Sequence, residues 1–477
     1  MEGSKFSDDR FKVIIAGGSL VGLSLALVLE RAGIDFELFE KGQFAPQLGA
    51  SIGLHPHSLR ILDQLGVWPD IKREVVPLQN RNHYDGSGHC FESSDVLSEI
   101  NKILGRPIIF MERSRALQIL HGHIQDKSKI HALNGVVDYE ETTEGVTVIT
   151  QDGQSHRGDI LVGADGIHSQ VRKLIADKIR PIDPTASKEL VKGFTSDYNC
   201  IFAVSRNDLS KPFLPDGMVQ NVYYHTYSAV AAAGVHGLVF WFLFVKASTP
   251  TRTPNCPRFT DDDAQELIGK YGAAQLGPGY TVRDLWEARV KATMVPLEEG
   301  VIKKWSHNRV VLMGDAVHKS TINPGLGGNL AYEGIAHFTN LLVPLLKEHP
   351  NPSTEQLSQL FEEYFERHLP RARTVVNISG RITRYEAQDN WLYTLAARHI
   401  VPWISDATKA QGYASFSNGG PWLDYLPLPK LDEEVCHRRI RERKGSKSGV
   451  LLPTVGVAVA LIGAAVVGWN RYSRITF

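Results

Sequence analysis

The chain has 477 residues, enough for two or three domains, and its 43% apolar and 22% charged content excludes a disordered protein. Its 52 basic and 52 acidic side chains cancel, so no global basic field exists to hold nucleic acid. The cysteines Cys90, Cys200, Cys256 and Cys436 are scattered with no CxxC pair, which argues against a zinc site or a disulfide framework and fits a reducing compartment.

The N-terminal MEGSKFSDDRFK is polar, and no secretory signal is expected from it. Residues 11–41 read FKVIIAGGSLVGLSLALVLERAGIDFELFEK. A short apolar run at 13–16 predicts a buried parallel strand. The turn Gly17-Gly18-Ser19 follows, then apolar residues at helical spacing over 20–32, then a second strand at 36–39 ending at Glu40. This is the order of a dinucleotide-binding unit. Gly17 permits the sharp turn off the strand, and Gly22 lets the helix sit close to the sheet. The helix N-terminus offers free N–H groups and a partial positive charge to a pyrophosphate. Glu40 can accept hydrogen bonds from ribose hydroxyls. Ser19 stands where the GxGxxG pattern has its middle glycine.

Residues 45–54, APQLGASIGL, form a glycine-rich loop before a helix at about 57–65. Residues 76–110 alternate polar and apolar, with DGSG at 85–88 as a hairpin signal. An amphipathic helix opens near Met111–Leu117, capped by Ser114 or a neighbour. Arg113 and Arg115 are unusual so near a helix start, because cations oppose the dipole there. Residues 131–152 read as strands with turns. The run DILVGADG at 159–166 reads as a strand ending in an Ala-Asp-Gly turn at Asp165 and Gly166, with a helix at 169–175 after it. From 189 to 290 strand-like runs dominate, at 199–204, 217–227, 229–233 and 237–245. They predict a sheet-rich unit with one buried face. The run RVVLMGDAVH at 309–318 returns to the parallel-strand style and carries Asp315. The glycine cluster NPGLGGN at 323–329, with Gly327 and Gly328, opens a helix over 330–346. Polar helices are expected at 353–387 and 391–410.

Residues 449–469, GVLLPTVGVAVALIGAAVVGW, carry no charge and are long enough to span a bilayer. Basic residues crowd the upstream side (Arg438, Arg439, Arg441, Arg443, Lys444 and Lys447). The expectation is a C-terminal anchor with the main body on the cytoplasmic side.

Three separated motifs occur in order: GGSLVG with Glu40, VGADGIHSQVR at 162–172, and MGDAVH…NPGLGGN at 313–329. Together they resemble the single-component FAD-dependent monooxygenases of the aromatic-hydroxylase type. The serine in GGS, the GASIGLHP segment and the helical extension with its apolar tail are most similar to the fungal enzymes that epoxidise the prenyl chain of meroterpenoids and indole diterpenes. The resemblance implies an α/β fold in which a FAD-binding Rossmann-like domain (11–75, 111–188 and 290–373) interleaves with a sheet-rich substrate domain (76–110 and 189–289). A helical extension (374–430), a basic linker (431–449) and a single transmembrane helix (450–469) would follow. It implies FAD as cofactor, NADPH as co-substrate, O2 and a hydrophobic small molecule as partners, and an ER-like membrane as location.

The same resemblance implies roles. Gly17 and Gly22 would hold the pyrophosphate turn, and Glu40 would bind the adenosine ribose. Gly53 would meet the cofactor through its backbone, and Arg113 would reach the phosphates or the ribityl chain. The Asp165-Gly166 turn would serve FAD and the passing nicotinamide, and Asp315 would hydrogen-bond the ribityl chain. Gly327, Gly328 and Asn329 would set a helix N-terminus at the flavin pyrimidine edge. Tyr223, Tyr224 and His225 fall on a strand of the substrate sheet, and Tyr224 is the candidate for a substrate-facing tyrosine. A phenol hydroxylase on the same fold and a membrane-tethered flavoprotein that adds no oxygen are the alternative readings.

Overall fold

Strand Lys12–Ala16 lies inside a six-stranded sheet, between Ile160–Gly163 on one side and Asp35–Phe39 on the other. Both pairings are parallel, and Val13, Ile14 and Ile15 are fully buried. A strand covered on both faces has no polar side to show, which is why this one reads as a continuous apolar run. Helix Leu20–Ala32 follows the glycine turn and packs back on the sheet, with Leu23, Leu25, Leu27 and Leu29 out of water. Ile130–His131 extends the sheet beyond Asp35–Phe39. Val310–Leu312 and Ser306–His307 extend it beyond Ile160–Gly163. A three-stranded antiparallel meander, Val136–Glu141, Val146–Thr150 and Ser155–Gly158, sits beside it.

The fold is that of a computed structural model, which describes residues 10–45 and 51–433. The expected basic linker from 434 onward and the transmembrane run at 450–469 lie outside the described residues. Among the described residues no helix is long and apolar enough to cross a membrane.

The second sheet has eight strands, in the order His318–Lys319, Arg289–Val301, Thr195–Arg206, Leu238–Arg252, Tyr227–Val235, Met218–Tyr223, Asn80–Asp85 and Cys90–Ser94. All neighbours are antiparallel except Met218–Tyr223 with Asn80–Asp85. The expectation of one buried face is corrected here, because both faces are covered. Along Leu238–Arg252, Val239, Trp241 and Leu243 pack with Ala264 and Ile268 of helix Asp261–Tyr271 and with Leu285 of helix Val282–Glu287. The alternate residues Phe242 and Phe244 face the other way, toward Leu97, Ile100 and Leu104. Those three belong to helix Val96–Leu104, which the alternating pattern of 76–110 concealed. Two covered faces explain the unbroken GLVFWFLFV run.

Helices Gly327–Glu348 and Thr354–Glu386 pack together beside the first sheet, with Phe338 stacked on Phe361. The helix expected over 391–410 is two helices, Trp391–His399 and Asp406–Asn418, joined by a short turn at Val401–Trp403. Pro402 has no N–H to continue the ladder and would clash with the preceding turn, so the first helix stops. Ser405 starts the second by accepting a hydrogen bond from the Thr408 N–H at 3.3 Å.

Candidate active site

Where the strands of the first sheet end, the chain encloses a cleft of about 530 Å3. Gly17, Glu40, Gly53, Arg113, Asp165, Asp315 and Gly328 all line it. The three motifs, together with Gly53 and Arg113 from between them, therefore converge on one place. Gly22 does not line the cleft. A Cβ on it would lie 1.8 Å from the Gly17 carbonyl oxygen, so this glycine shapes the turn from behind. Gly17 itself has φ +107°, and a Cβ there would meet the Ala164 carbonyl oxygen at 2.6 Å. Only glycine satisfies both demands.

Two of the helices that begin at the cleft leave their first turn uncapped. Helices at the surface are capped by Thr260, Thr281, Ser353, Asn390 and Ser405, each accepting from a backbone N–H. Helix Leu20–Ala32 begins after Ser19 and helix Gly327–Glu348 after Leu326, and neither has a side-chain cap. Their first N–H groups stay available to a ligand with negative charge. The helix Arg113–His123 starts after Glu112, not at Ser114, and also lacks a side-chain cap. Its Arg113 donates to Ser19 Oγ at 2.8 Å. The serine in the glycine pattern and the arginine at the helix start, each odd alone in the sequence, meet each other.

Glu40 is fixed by the backbone, accepting from Gly18 N–H at 2.6 Å and Gly42 N–H at 2.8 Å. Asp165 accepts from Gln170 and Val171 N–H through Oδ2, at 2.7 and 3.1 Å. Its Oδ1 is buried with no partner among the described residues. Burial pushes this carboxyl above the usual range, though the hydroxyl of Ser169 and the backbone N–H groups pull it back. For Asp315 burial works in the same direction, but Lys319, Arg113 and His318 outweigh it and hold the carboxyl below the usual range. Lys319 pairs with it directly. The Ser320 hydroxyl, also on the cleft wall, is a second buried polar atom without a partner among the described residues. A glycine cradle, two uncapped helix ends, an arginine and two orphaned oxygens fit FAD, a ligand with a pyrophosphate in its middle and hydroxyls along its chain.

Asn329 does work that sequence reasoning missed. Its side chain accepts from the His55 N–H at 2.9 Å and donates to the carbonyls of Gly53 and Gly325, at 2.9 and 2.7 Å. It staples the glycine loop of one region to the glycine strand of another. The signal was present, since Asn329 ends the glycine cluster, but two of its three side-chain partners, His55 and Gly53, lie more than 270 residues away.

A second cavity, of about 960 Å3, meets the cleft along Phe110, Phe242, Ile322 and Gly325. Its walls are mostly apolar, including Leu97, Ile100, Val230 and Phe244. Polar groups are few and tied together. Glu386 accepts from Asn221 Nδ2 at 2.9 Å, Asn323 Nδ2 at 2.7 Å and Arg81 Nη2 at 3.3 Å. His83 Nδ1 lies 2.9 Å from the Tyr223 hydroxyl. His55 is hydrogen-bonded to Tyr413, and burial pulls its imidazole down to about 4. The tyrosine expected to face substrate, Tyr224, does not line this cavity. It stacks on Tyr227 and donates to the Gln275 carbonyl at 2.9 Å. Successive side chains of an extended chain point to opposite faces, and Tyr223 takes the inward place.

Residues 10–379 match the FAD binding domain family. The chain is 35% identical over 423 residues to the FAD-dependent monooxygenase ptmM of Penicillium ochrochloron, covering 88% of this chain and 99% of that one. It is 36% identical over 467 residues to the FAD-dependent monooxygenase nodM of Hypoxylon pulicicidum, covering 96% and 98%. The fold is similar to a crystal structure of Klebsiella pneumoniae HpxO complexed with FAD and uric acid. That match has a TM-score of 0.68 and 20% identity, covering 86% of this chain and 97% of that one. With the cleft and these likenesses together, the chain belongs to the FAD-dependent monooxygenases, flavoenzymes that draw their reducing power from NAD(P)H.

Proposed function

We propose that this enzyme epoxidises an alkene in the prenyl chain of a hydrophobic terpenoid, of the meroterpenoid or indole-diterpene kind, using NADPH and O2. The observation that carries this reading is the large apolar cavity joined to the FAD cleft across Phe110, Phe242, Ile322 and Gly325. FAD, when bound and reduced, supplies the activated oxygen. The chain supplies position and dryness. Phe110 and Phe242 hold an apolar arm against the cleft and keep water from the reacting atoms. In the cleft, Gly17 and the open start of helix Leu20–Ala32 take the pyrophosphate, with Gly22 behind them. Glu40 takes the adenosine ribose, Arg113 the phosphates or ribityl chain, and Asp315 the ribityl hydroxyls. Gly53 meets the flavin by its backbone. Asp165 serves FAD and the nicotinamide, and Gly328 lies at the pyrimidine edge.

The base inventory favours an alkene over a phenol. A phenol needs a base poised near neutral pH, whereas an isolated alkene needs none. Of the imidazoles on the cavity wall, burial pulls His55 down to about 4 and His83 well below the usual range. The Glu386 carboxylate is committed to three donors.

The reading includes a membrane anchor at 450–469 on an ER-like membrane, with the body on the cytoplasmic side. Trp391 and Trp403 support it, being 70% and 86% exposed, with Leu395 and Ile400 exposed beside them. Tryptophan favours the lipid–water interface. The neighbouring Val401 and Ile404 line the substrate cavity, so a substrate dissolved in lipid would have a short way in.

The test uses the full chain in detergent with its flavin bound. NADPH oxidation stimulated by a farnesylated phenol, with one oxygen added at a chain alkene, is the expected result. Stimulation by simple hydroxybenzoates, with oxygen added to the ring, overturns it in favour of a phenol hydroxylase. Bound flavin with no oxygen uptake on either substrate overturns it in favour of a flavoprotein that adds no oxygen.

A further inference from the structure

Helix Thr354–Glu386 gives Ile378, Arg381, Ile382, Tyr385 and Glu386 to the wall of the large cavity. The spacing i, i+3, i+4, i+7, i+8 is one face of a helix, so Arg381 stands in the middle of the stripe turned to the substrate. The other charges of this wall are matched. Glu386 is held by Arg81, Asn221 and Asn323. Lys409 pairs with Glu92 and with Asp406. Arg381 has no hydrogen-bond or ion-pair partner among the described residues.

Two arginines buried elsewhere are held by partners. Arg106 reaches Asp63 and Asp432, both at 2.6 Å, and Arg172 donates to the carbonyls of Leu190, Ala316 and Ile167. Arginine carries five donors and does not lose its proton. Water can meet those donors while the cavity is wet. A hydrophobic substrate displaces that water, and leaving the guanidinium bare between Ile378 and Ile382 is costly unless the substrate brings an acceptor. The planar fork of arginine is best met by a delocalised pair of oxygens.

We propose that Arg381 recognises an anionic oxygen group of the substrate, a carboxylate or an ionised enol on the ring that bears the prenyl chain. This inference rests on the prenyl-chain reading above. Arg381 is then a specificity-determining residue that selects acidic over neutral or alkylated head groups.

The test measures binding by the change in absorbance of the bound flavin in the full-length holoenzyme. The probes are farnesylated 4-hydroxybenzoic acid and its methyl ester, and farnesylated 4-hydroxy-2-pyrone and its O-methyl ether. At least one acid is expected to bind about tenfold or more tightly than its methylated form. Which acid shows the preference separates carboxylate from enol. Arg381→Gln is expected to abolish the preference and Arg381→Lys to keep part of it, both with normal flavin content. Equal binding of each acid and its methylated form overturns the assignment of Arg381 and leaves the prenyl-chain reading standing. A preference that survives in Arg381→Gln overturns it in the same way. No spectral response to any of the four probes overturns the prenyl-chain reading itself, and this inference with it.

Discussion

The FAD cleft and the substrate cavity touch, yet they are built by different means. The cleft is made largely of backbone: a glycine turn, two open helix ends, and carboxylates tied to nearby N–H groups. The cavity is made of side chains from strands and helices spread between His55 and Phe416. A backbone site needs particular residues at fixed spacings, because only they permit the turn or the close approach. A side-chain site needs only volume and polarity in the right places, and many sequences provide that. The first kind of site leaves motifs behind it and the second does not.

The largest effect that would sharpen this contrast comes from Gly22→Ala. The added Cβ would sit 1.8 Å from the Gly17 carbonyl oxygen, with no side chain in the way to yield. The turn must shift, and FAD binding is expected to weaken about 100-fold. Purified protein should lose its yellow absorbance while its far-ultraviolet circular dichroism is unchanged. Normal flavin content in this variant would mean that the cleft tolerates backbone movement and that the contrast is overdrawn.

Acid should strike both regions together. His55 on the cavity wall and His318 behind Asp315 are both buried, and burial pulls each down to about 4. A histidine whose folded value lies below its unfolded value of about 6.5 makes the unfolded chain bind more protons in between. Stability is then fully present above about pH 6.5 and falls as pH drops toward 4, by about 3 kcal/mol for each histidine fully charged. Thermal melts across that window should show the fall, and His55→Gln should make it shallower, with His318 and the other buried histidines keeping the rest. A melting temperature independent of pH between 6.5 and 4.5 would contradict the burial of both rings.

Glu386→Ala separates the regions again. It takes the acceptor from Arg81, Asn221 and Asn323 in the cavity and touches nothing in the cleft. Arg81 keeps some contact with solvent, so the cost is expected to be about 2 kcal/mol rather than that of a fully buried broken pair. The melting temperature should drop by a few degrees and substrate affinity should fall, with flavin content unchanged. Glu386→Gln, which keeps an acceptor oxygen, should recover most of the loss.

The unequal legibility of the sequence follows from the same physics. Gly17, Glu40, Asp165 and Asp315 each sit just after a parallel strand, so a short apolar run with its turn marks them within a few residues. Strand and helix positions there were readable for the same reason. Asn329 ends a glycine motif, but the role of its side chain depends on Gly53 and His55, far off in the chain. Arg81 and Glu386 meet across 305 residues, and no local pattern announces that. The break at Pro402 was legible in principle, since proline ends a helix. The second covered face of the eight-stranded sheet was written in the unbroken apolar run at 238–245, which alternation would have interrupted.

The smallest effect tests the inward and outward assignment of two adjacent tyrosines. Tyr223 is 3% exposed, its hydroxyl lies 2.9 Å from His83 Nδ1, and its ring meets Tyr385 edge-on. Tyr224 follows the end of strand Met218–Tyr223, stacks on Tyr227 and reaches the carbonyl of Gln275. Tyr223→Phe leaves the buried His83 nitrogen without its partner on the cavity wall. That is worth about 1 kcal/mol, or about fivefold in substrate affinity. Tyr224→Phe removes one half-exposed hydrogen bond outside the cavity, and substrate affinity should stay within about twofold. The two variants differ by one residue in position and by nothing in chemistry, so folding and flavin binding serve as shared controls. If the larger effect falls on Tyr224, the strand must present its other face to substrate. The residues that this strand and its parallel neighbour Asn80–Asp85 give to the cavity, Arg81, His83, Val219 and Tyr223, would then belong to packing rather than to recognition.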